Sequence, residues 1–236
     1  MGAFECSWFM SKPFLFLTVL TPFFLSFSHG EVALFNGQDL SGWQAQDMSY
    51  WSVVDGAIVG TAGEKKIKGN QFLWHDIEVR DFHLSLSVHQ VPFAANAGIQ
   101  FRSQPRAGAS AFGYQADVGK GWWGTLYHEH GRGILAKSRA AGGEHLNQEG
   151  WNHYEILAMG PDIWLSLNGT ITVALRDPKG EKSGRIALQV HGGMPQRVEY
   201  KGLKLTENPT GGIGGFNQNV LLEFLQNKDQ VIIEPR

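Results

Sequence analysis

The chain has 236 residues, 42% hydrophobic and 12% aromatic, with 30 glycines and a formal net charge of −2. Charged residues make up only 18%, which excludes a nucleic-acid binder working through a basic face. The hydrophobic fraction is enough for one well-buried core, and so many glycines favour short strands joined by tight turns.

Residues 1–30 read as a signal peptide. Lys12 precedes an apolar run from Phe14 to Phe27, which closes on Ser28-His29-Gly30 where a signal peptidase wants small residues. The run is too short for a comfortable membrane span, so no membrane attachment is expected after its removal. A secreted or periplasmic bacterial protein is the expectation. The sole cysteine, Cys6, would leave with the leader, so the mature domain holds together without disulfides.

Residues 31–206 predict one all-β domain. Phe82, Leu84, Leu86 and Val88 alternate with His83, Ser85, Ser87 and His89, the pattern of a half-buried strand. Ile163, Leu165 and Leu167 alternate likewise and meet Asn168-Gly169, a strong hairpin signal, before Ile171 to Leu175. Val198 and Tyr200 share one parity and Leu203 and Leu205 the other, so Gly202 between them predicts a bulge. Nothing between Val32 and Leu205 reads as a helix. The fold class is therefore a two-sheet antiparallel jelly-roll sandwich. Residues 207–236 predict a Gly-rich linker and a short tail, with an amphipathic helical turn over Val220 to Gln226.

Two neighbouring stretches carry the chemistry. Gly113-Tyr114-Gln115-Ala116-Asp117 is followed by Gly121-Trp122-Trp123-Gly124-Thr125-Leu126-Tyr127-His128-Glu129. Aromatic faces beside fixed amides and carboxylates suit a sugar ring, with its apolar C–H faces and its hydroxyls. Strand alternation adds two further segments. With Ile99, Phe101 and Ser103 inward, Gln100 and Arg102 face the other way; with Ile186, Leu188 and Val190 inward, so do Gln189 and His191.

Gln100, Arg102, Gln115, Asp117, Gln189 and His191 thus make a polar floor, walled by Trp122, Trp123 and Tyr127. Solvated strand faces are also polar, but they favour Lys and Glu over repeated Gln. Trp122 and Trp123 are adjacent, so within a strand only one of them would enter the core. The remaining tryptophans of the domain, Trp43, Trp51, Trp74, Trp151 and Trp164, are assigned mostly to packing. His128 and His130 flank Glu129 at a spacing zinc can use, yet no third ligand is visible and the HExxH pattern is absent. No metal ligand is assigned and no cofactor is firmly implied, although a divalent cation is compatible with the chain.

In order and spacing, the chain resembles the 3-keto-disaccharide hydrolase domain family, long listed as a domain of unknown function. The matching pieces begin with Leu34-Phe35-Asn36-Gly37-Gln38-Asp39-Leu40-Ser41-Gly42-Trp43 and Trp51-Ser52-Val53-Val54-Asp55-Gly56. Phe72-Leu73-Trp74, Asn96-Ala97-Gly98-Ile99-Gln100-Phe101-Arg102-Ser103 and Gly113 to Asp117 follow. Gly150-Trp151-Asn152, Leu167-Asn168-Gly169 and Ile186 to His191 complete the series. His75 departs from the pattern, which commonly has threonine there, and the tail after Leu205 lies outside it. The resemblance implies a concanavalin-like jelly roll, laminin-G-like in outline, with a site on its concave sheet and substrates oxidised to a ketone at carbon three.

Such a ketone acidifies the proton at carbon two, whose removal lets the glycosidic oxygen leave carbon one. His191 is the expected base, because histidine titrates near neutrality. Arg102, with Gln115 or Gln189, is expected to stabilise the enolate, and Asp117 or Glu129 to orient His191 or protonate the leaving oxygen. The ligand class is a carbohydrate or glycoside, with a sugar dehydrogenase upstream to make the ketone. Two other readings stay open: a conventional glycosidase using Asp117 and Glu129, and a carbohydrate-binding module without catalysis.

Overall fold

The computed structural model describes residues 1–2, 30–62, 67–108, 110–138 and 145–226. The leader expected at 1–30 therefore falls, except at its ends, outside the described residues. Fifteen strands are found among those described. They begin with β1 (Val32–Ala33), β2 (Trp43–Gln44), β3 (Trp51–Val54), β4 (Ala57–Thr61) and β5 (Gln71–Val79). β6 (Phe82–Val91), β7 (Asn96–Arg106), β8 (Ser110–Gly119), β9 (Leu126–Glu129) and β10 (Gly133–Ala136) follow. The last are β11 (Asn152–Met159), β12 (Asp162–Leu167), β13 (Thr170–Arg176), β14 (Gly184–Val190) and β15 (Arg197–Glu207), before one helix, α1 (Gln218–Gln226).

The strands pair antiparallel throughout and form two sheets. The first runs β13-β12-β11-β6-β15-β4-β3 with β1 also on β15; the second runs β10-β9-β8-β7-β14-β5-β2. The alternation in β6 buries Phe82, Leu84, Leu86 and Val88 against Ile99, Phe101, Ile186, Leu188 and Val190 of the facing sheet. Each such side chain contributes about 1.5–3 kcal/mol by leaving water. This is the expected two-sheet sandwich. No helix among the described residues is long and apolar enough to cross a membrane.

Local backbone signals place the turns. Asn168 and Gly169 both adopt positive φ, 47° and 82°, as a two-residue hairpin between β12 and β13 requires. The β15 register shifts between Lys201 and Lys204, around Gly202 at φ 64°, so the expected parity change is present.

A second bulge was not legible and corrects the assignment of Arg102. The β7–β8 register shifts between Phe101 and Gln104, with Arg102 at φ 45°. The extra residue reverses the alternation, so Arg102 turns away from the Gln100 face and Ser103 turns onto it. The Arg102 side chain is 1% exposed. It donates to the Arg80 carbonyl at 2.7 Å, the Gly160 carbonyl at 2.8 Å and Asp81 at 3.1 Å. Ser103 Oγ instead donates to Gln100 Oε1 at 2.8 Å.

The tail docks over the part described. Asn217 caps α1 by accepting from the Val220 amide, and Leu221 is fully buried with Ile213 against Leu157, Trp164 and Ala174. Trp164 Nε1 donates to the Leu221 carbonyl at 2.9 Å, and Glu155 accepts from the Gly214 amide at 2.9 Å. Tyr154, Ile156 and Ala158 of β11 point into the sandwich, so Leu157 marks the outer face of the first sheet.

Candidate functional site

The other sheet carries the site on its own outer face. Ile99, Ala116 and Leu188 enter the core, so Gln100, Gln115 and Gln189 share the opposite side. Gln115 lies opposite Gln100 on β7 and opposite Tyr127 on β9. The register thus brings three strands' polar residues together, and β14 adds Gln189.

These side chains form a directed row. Gln100 Nε2 donates to Gln115 Oε1 at 2.6 Å, and Gln189 Nε2 donates to the same oxygen at 2.9 Å. Gln115 Nε2 in turn donates to Asp117 Oδ1 at 2.6 Å. The row needs low ground at Gly98, where a Cβ would stand 2.6 Å from Gln115 Cδ. Beneath it, the Tyr200 hydroxyl donates to the Gln189 carbonyl at 2.8 Å, and the Tyr154 hydroxyl reaches the Asp117 carbonyl at 3.3 Å. Both tyrosines come from the first sheet, so the site's backbone is held from below across the core.

The loop between β8 and β9 divides its tryptophans. Trp122 and Trp123 amides both donate to the Gly119 carbonyl, and the Thr125 amide donates to the Trp122 carbonyl. Gly124 makes the tight return at φ 76°, with no room for a Cβ beside Thr172. Trp122 remains 39% exposed, whereas Trp123 is fully buried and stacks on Phe93 at 5.9 Å.

A cavity of about 190 Å³ opens over this face, lined by Asn70, Asn96, Gln115, Asp117, Trp122, Tyr127, Glu129 and His191. Six of the ten expected residues therefore converge there. Gln100 and Gln189 lie below, orienting Gln115, while Trp123 belongs to the core and Arg102 to the far end of β7. Asn70 and Asn96 were missed. Asn96 follows from continuing the Gln100, Gly98 alternation by one step. Asn70 could not be read, because both parities of β5 are apolar: Leu73 is in the core and Phe72 and Trp74 are on the site face.

The electrostatics separate the ionisable groups. Burial pushes the Asp117 carboxyl well above the usual carboxylate range; the Gln115 bond opposes the rise and Glu129 adds to it. Glu129 is also raised by burial, against the pull of His130, His191 and His128. His191 Nδ1 lies 2.6 Å from the Gly192 carbonyl. A carbonyl only accepts, so Nδ1 carries the proton and Nε2 keeps the lone pair in the neutral ring. One cavity thus brings together the buried Asp117 carboxyl, Glu129 and a histidine, His191, whose Nε2 lone pair is free of the Gly192 carbonyl.

The histidines beside Glu129 do not converge. His128 is buried on the other face, its Nε2 2.8 Å from Glu181 and its Nδ1 accepting from the Arg132 amide. His130 sits at the strand end with φ 48°, 3.6 Å from Glu129. Among the described residues no group of three or more His, Cys, Asp or Glu is placed to hold a metal ion.

A family model described as a 3-keto-alpha-glucoside-1,2-lyase-like domain matches residues 30–206. The chain is similar to a Parabacteroides distasonis protein provisionally named a glycosyl hydrolase, at 18% identity and TM-score 0.57, covering 76% of this chain and 94% of that one. It is similar to a Bacillus subtilis protein of unknown function with a galectin-like fold, at 8% identity and TM-score 0.54, covering 77% and 97%. It is also similar to the carbohydrate-binding module CBM66 of Bacillus subtilis, at 14% identity and TM-score 0.50, covering 69% and 94%. At these identities the likeness is one of fold. No curated protein matches the sequence.

Proposed function

The chain belongs to the 3-keto-alpha-glucoside-1,2-lyase-like family, and from that membership we propose that it cleaves glycosides oxidised at carbon three by elimination. His191 Nε2 removes the proton at carbon two. The electron pair is delocalised onto the carbon-three carbonyl as an enolate, then returns to expel the glycosidic oxygen from carbon one. Asp117, whose carboxyl burial raises well above the usual carboxylate range, gives its proton to that oxygen. The products are the free alcohol and an unsaturated keto sugar, to which water adds afterwards. Glu129 stabilises the imidazolium, and the lining amides of Asn70, Asn96 and Gln115 take the enolate role expected of Arg102. Trp122 and Tyr127 supply apolar faces for the ring.

The observation that carries this reading is the shared cavity of a histidine with its lone pair on Nε2 and a buried carboxyl that burial shifts toward its protonated form. The test is turnover of a panel of 3-keto-glycosides and their unoxidised parents by residues 31–236. Cleavage of the keto forms alone, reduced at least about 100-fold in His191→Ala, is the expected result. Cleavage of the parents would transfer the roles to a conventional pair, Asp117 and Glu129, a reading favoured by their both lining the cavity. Binding without cleavage of either would make the domain a carbohydrate-binding module. Residues 1–30 support export, which N-terminal sequencing of the mature protein would check. The ketone itself requires an oxidoreductase acting earlier on the same sugar.

A further inference from the structure

A second cavity, of about 260 Å³, lies on the same outer face at the other end of the sheet. Phe72 and Trp74 lie along it, and Gln44, Arg106, Ser110 and Arg185 supply its polar groups. The two cavities adjoin along β5: Asn70 lines the first and Phe72, two residues on and on the same face, lines the second. That step is about 7 Å along the strand. Between them Gln115 lies over Gly98, and Phe72 and Trp74 pack with Ala111 and Ala187, so a ligand joining the two cavities would run over these side chains.

The two ends differ in charge. Asp117 and Glu129 line the first cavity, whereas among the described residues no carboxylate lines the second. Arg185 is fixed there: its guanidinium sits over the Trp74 ring at 5.8 Å, Nε donates to the His75 carbonyl at 2.8 Å, and Nη2 meets Asp76 at 3.1 Å. Asp76 also accepts from Gln44 at 2.9 Å. Neither arginine bond uses Nη1, so a planar fork held by stacking keeps donors for a ligand. Arg106 stands exposed on the opposite wall, and Ser110 Oγ is buried with no hydrogen-bond partner. A buried hydroxyl without a partner is costly, and an acceptor in the cavity would relieve it.

We propose that this second cavity is the subsite for the leaving unit of the glycoside, and that it selects units bearing an oxyanion such as a carboxylate. Arg185 and Arg106 bind the anion, and Ser110 donates its orphaned hydroxyl. Calling the occupant a leaving unit rests on the function proposed above; the affinity for an anionic unit does not.

The experiment compares two 3-keto-glucosides, one of 4-carboxyphenol and one of its neutral isostere 4-carbamoylphenol, on wild type, Arg106→Gln and Ser110→Ala. Intrinsic leaving-group differences cancel when the kcat/KM ratio of the pair is compared between proteins. The wild-type ratio should exceed that of Arg106→Gln on the order of tenfold, with a smaller drop in Ser110→Ala, and should shrink with added salt. Arg106 is exposed, so its substitution does not threaten folding. In parallel, calorimetric binding of the unoxidised 4-carboxyphenyl glucoside should weaken by a similar factor in Arg106→Gln. If keto-glycosides are cleaved but ratio and affinity are the same in all three proteins, the subsite is wrong. If no keto-glycoside is cleaved yet the calorimetric difference persists, the reaction proposal falls and the anion subsite stands.

Discussion

Asp117 shows what one residue's chemistry owes to its surroundings. Its side of the strand was legible, since Tyr114, Ala116 and Val118 fix the alternation. The rise in its pKa was not, because the burial that causes it depends on the folded sheet rather than on the alternation along the strand. An acid whose pKa is higher folded than unfolded holds its proton more tightly in the folded state. Its contribution to stability is therefore complete below the ordinary carboxylate pKa and is lost as pH rises toward the folded value. Asp117→Asn keeps an oxygen for Gln115 while removing that titration. The variant should gain thermal stability over wild type increasingly as pH rises above about 4, measured as a melting-temperature difference. Its turnover of keto-glycosides should fall, because the amide has no acidic proton for the leaving oxygen. A melting-temperature difference independent of pH would mean that Asp117 is ionised in the folded protein.

At the scale of a strand, parity is informative until a bulge resets it. Gly202 announced one such reset; the other, at Arg102, had no glycine to mark it and carried the arginine out of the site. Arg102 now ties the β7 end to the Arg80 and Gly160 carbonyls and to Asp81, joining the two sheets. Arg102→Met should cost about 2–4 kcal/mol in denaturant unfolding, as buried acceptors lose a charged donor, while kcat/KM of the folded enzyme holds. A large loss of kcat/KM without loss of stability would return Arg102 to the chemistry. The amide row makes the opposite prediction at Gly98. In Gly98→Ala the new methyl would collide with Gln115, so turnover should fall more than stability, as a comparison of kinetics and unfolding on the same sample would show.

At the scale of the molecule, the sandwich was readable because alternation, Asn-Gly turns and glycine spacing all pointed to it. The place of the tail was not. Its partner surface is Leu157, Trp164 and Ala174, drawn from three strands that only the folded sheet brings together. Leu221→Ala should lower stability by about 2–3 kcal/mol with kcat unaltered, checked by urea unfolding beside steady-state kinetics. α1 covers the outer face of the sheet farther from the cavity, so the molecule has a back and a front. A support or a second module held against α1 would lie at the back. The cavity would then face outward into solution, which makes the exposed side of α1 the natural handle for immobilising or displaying this domain with its cavity open.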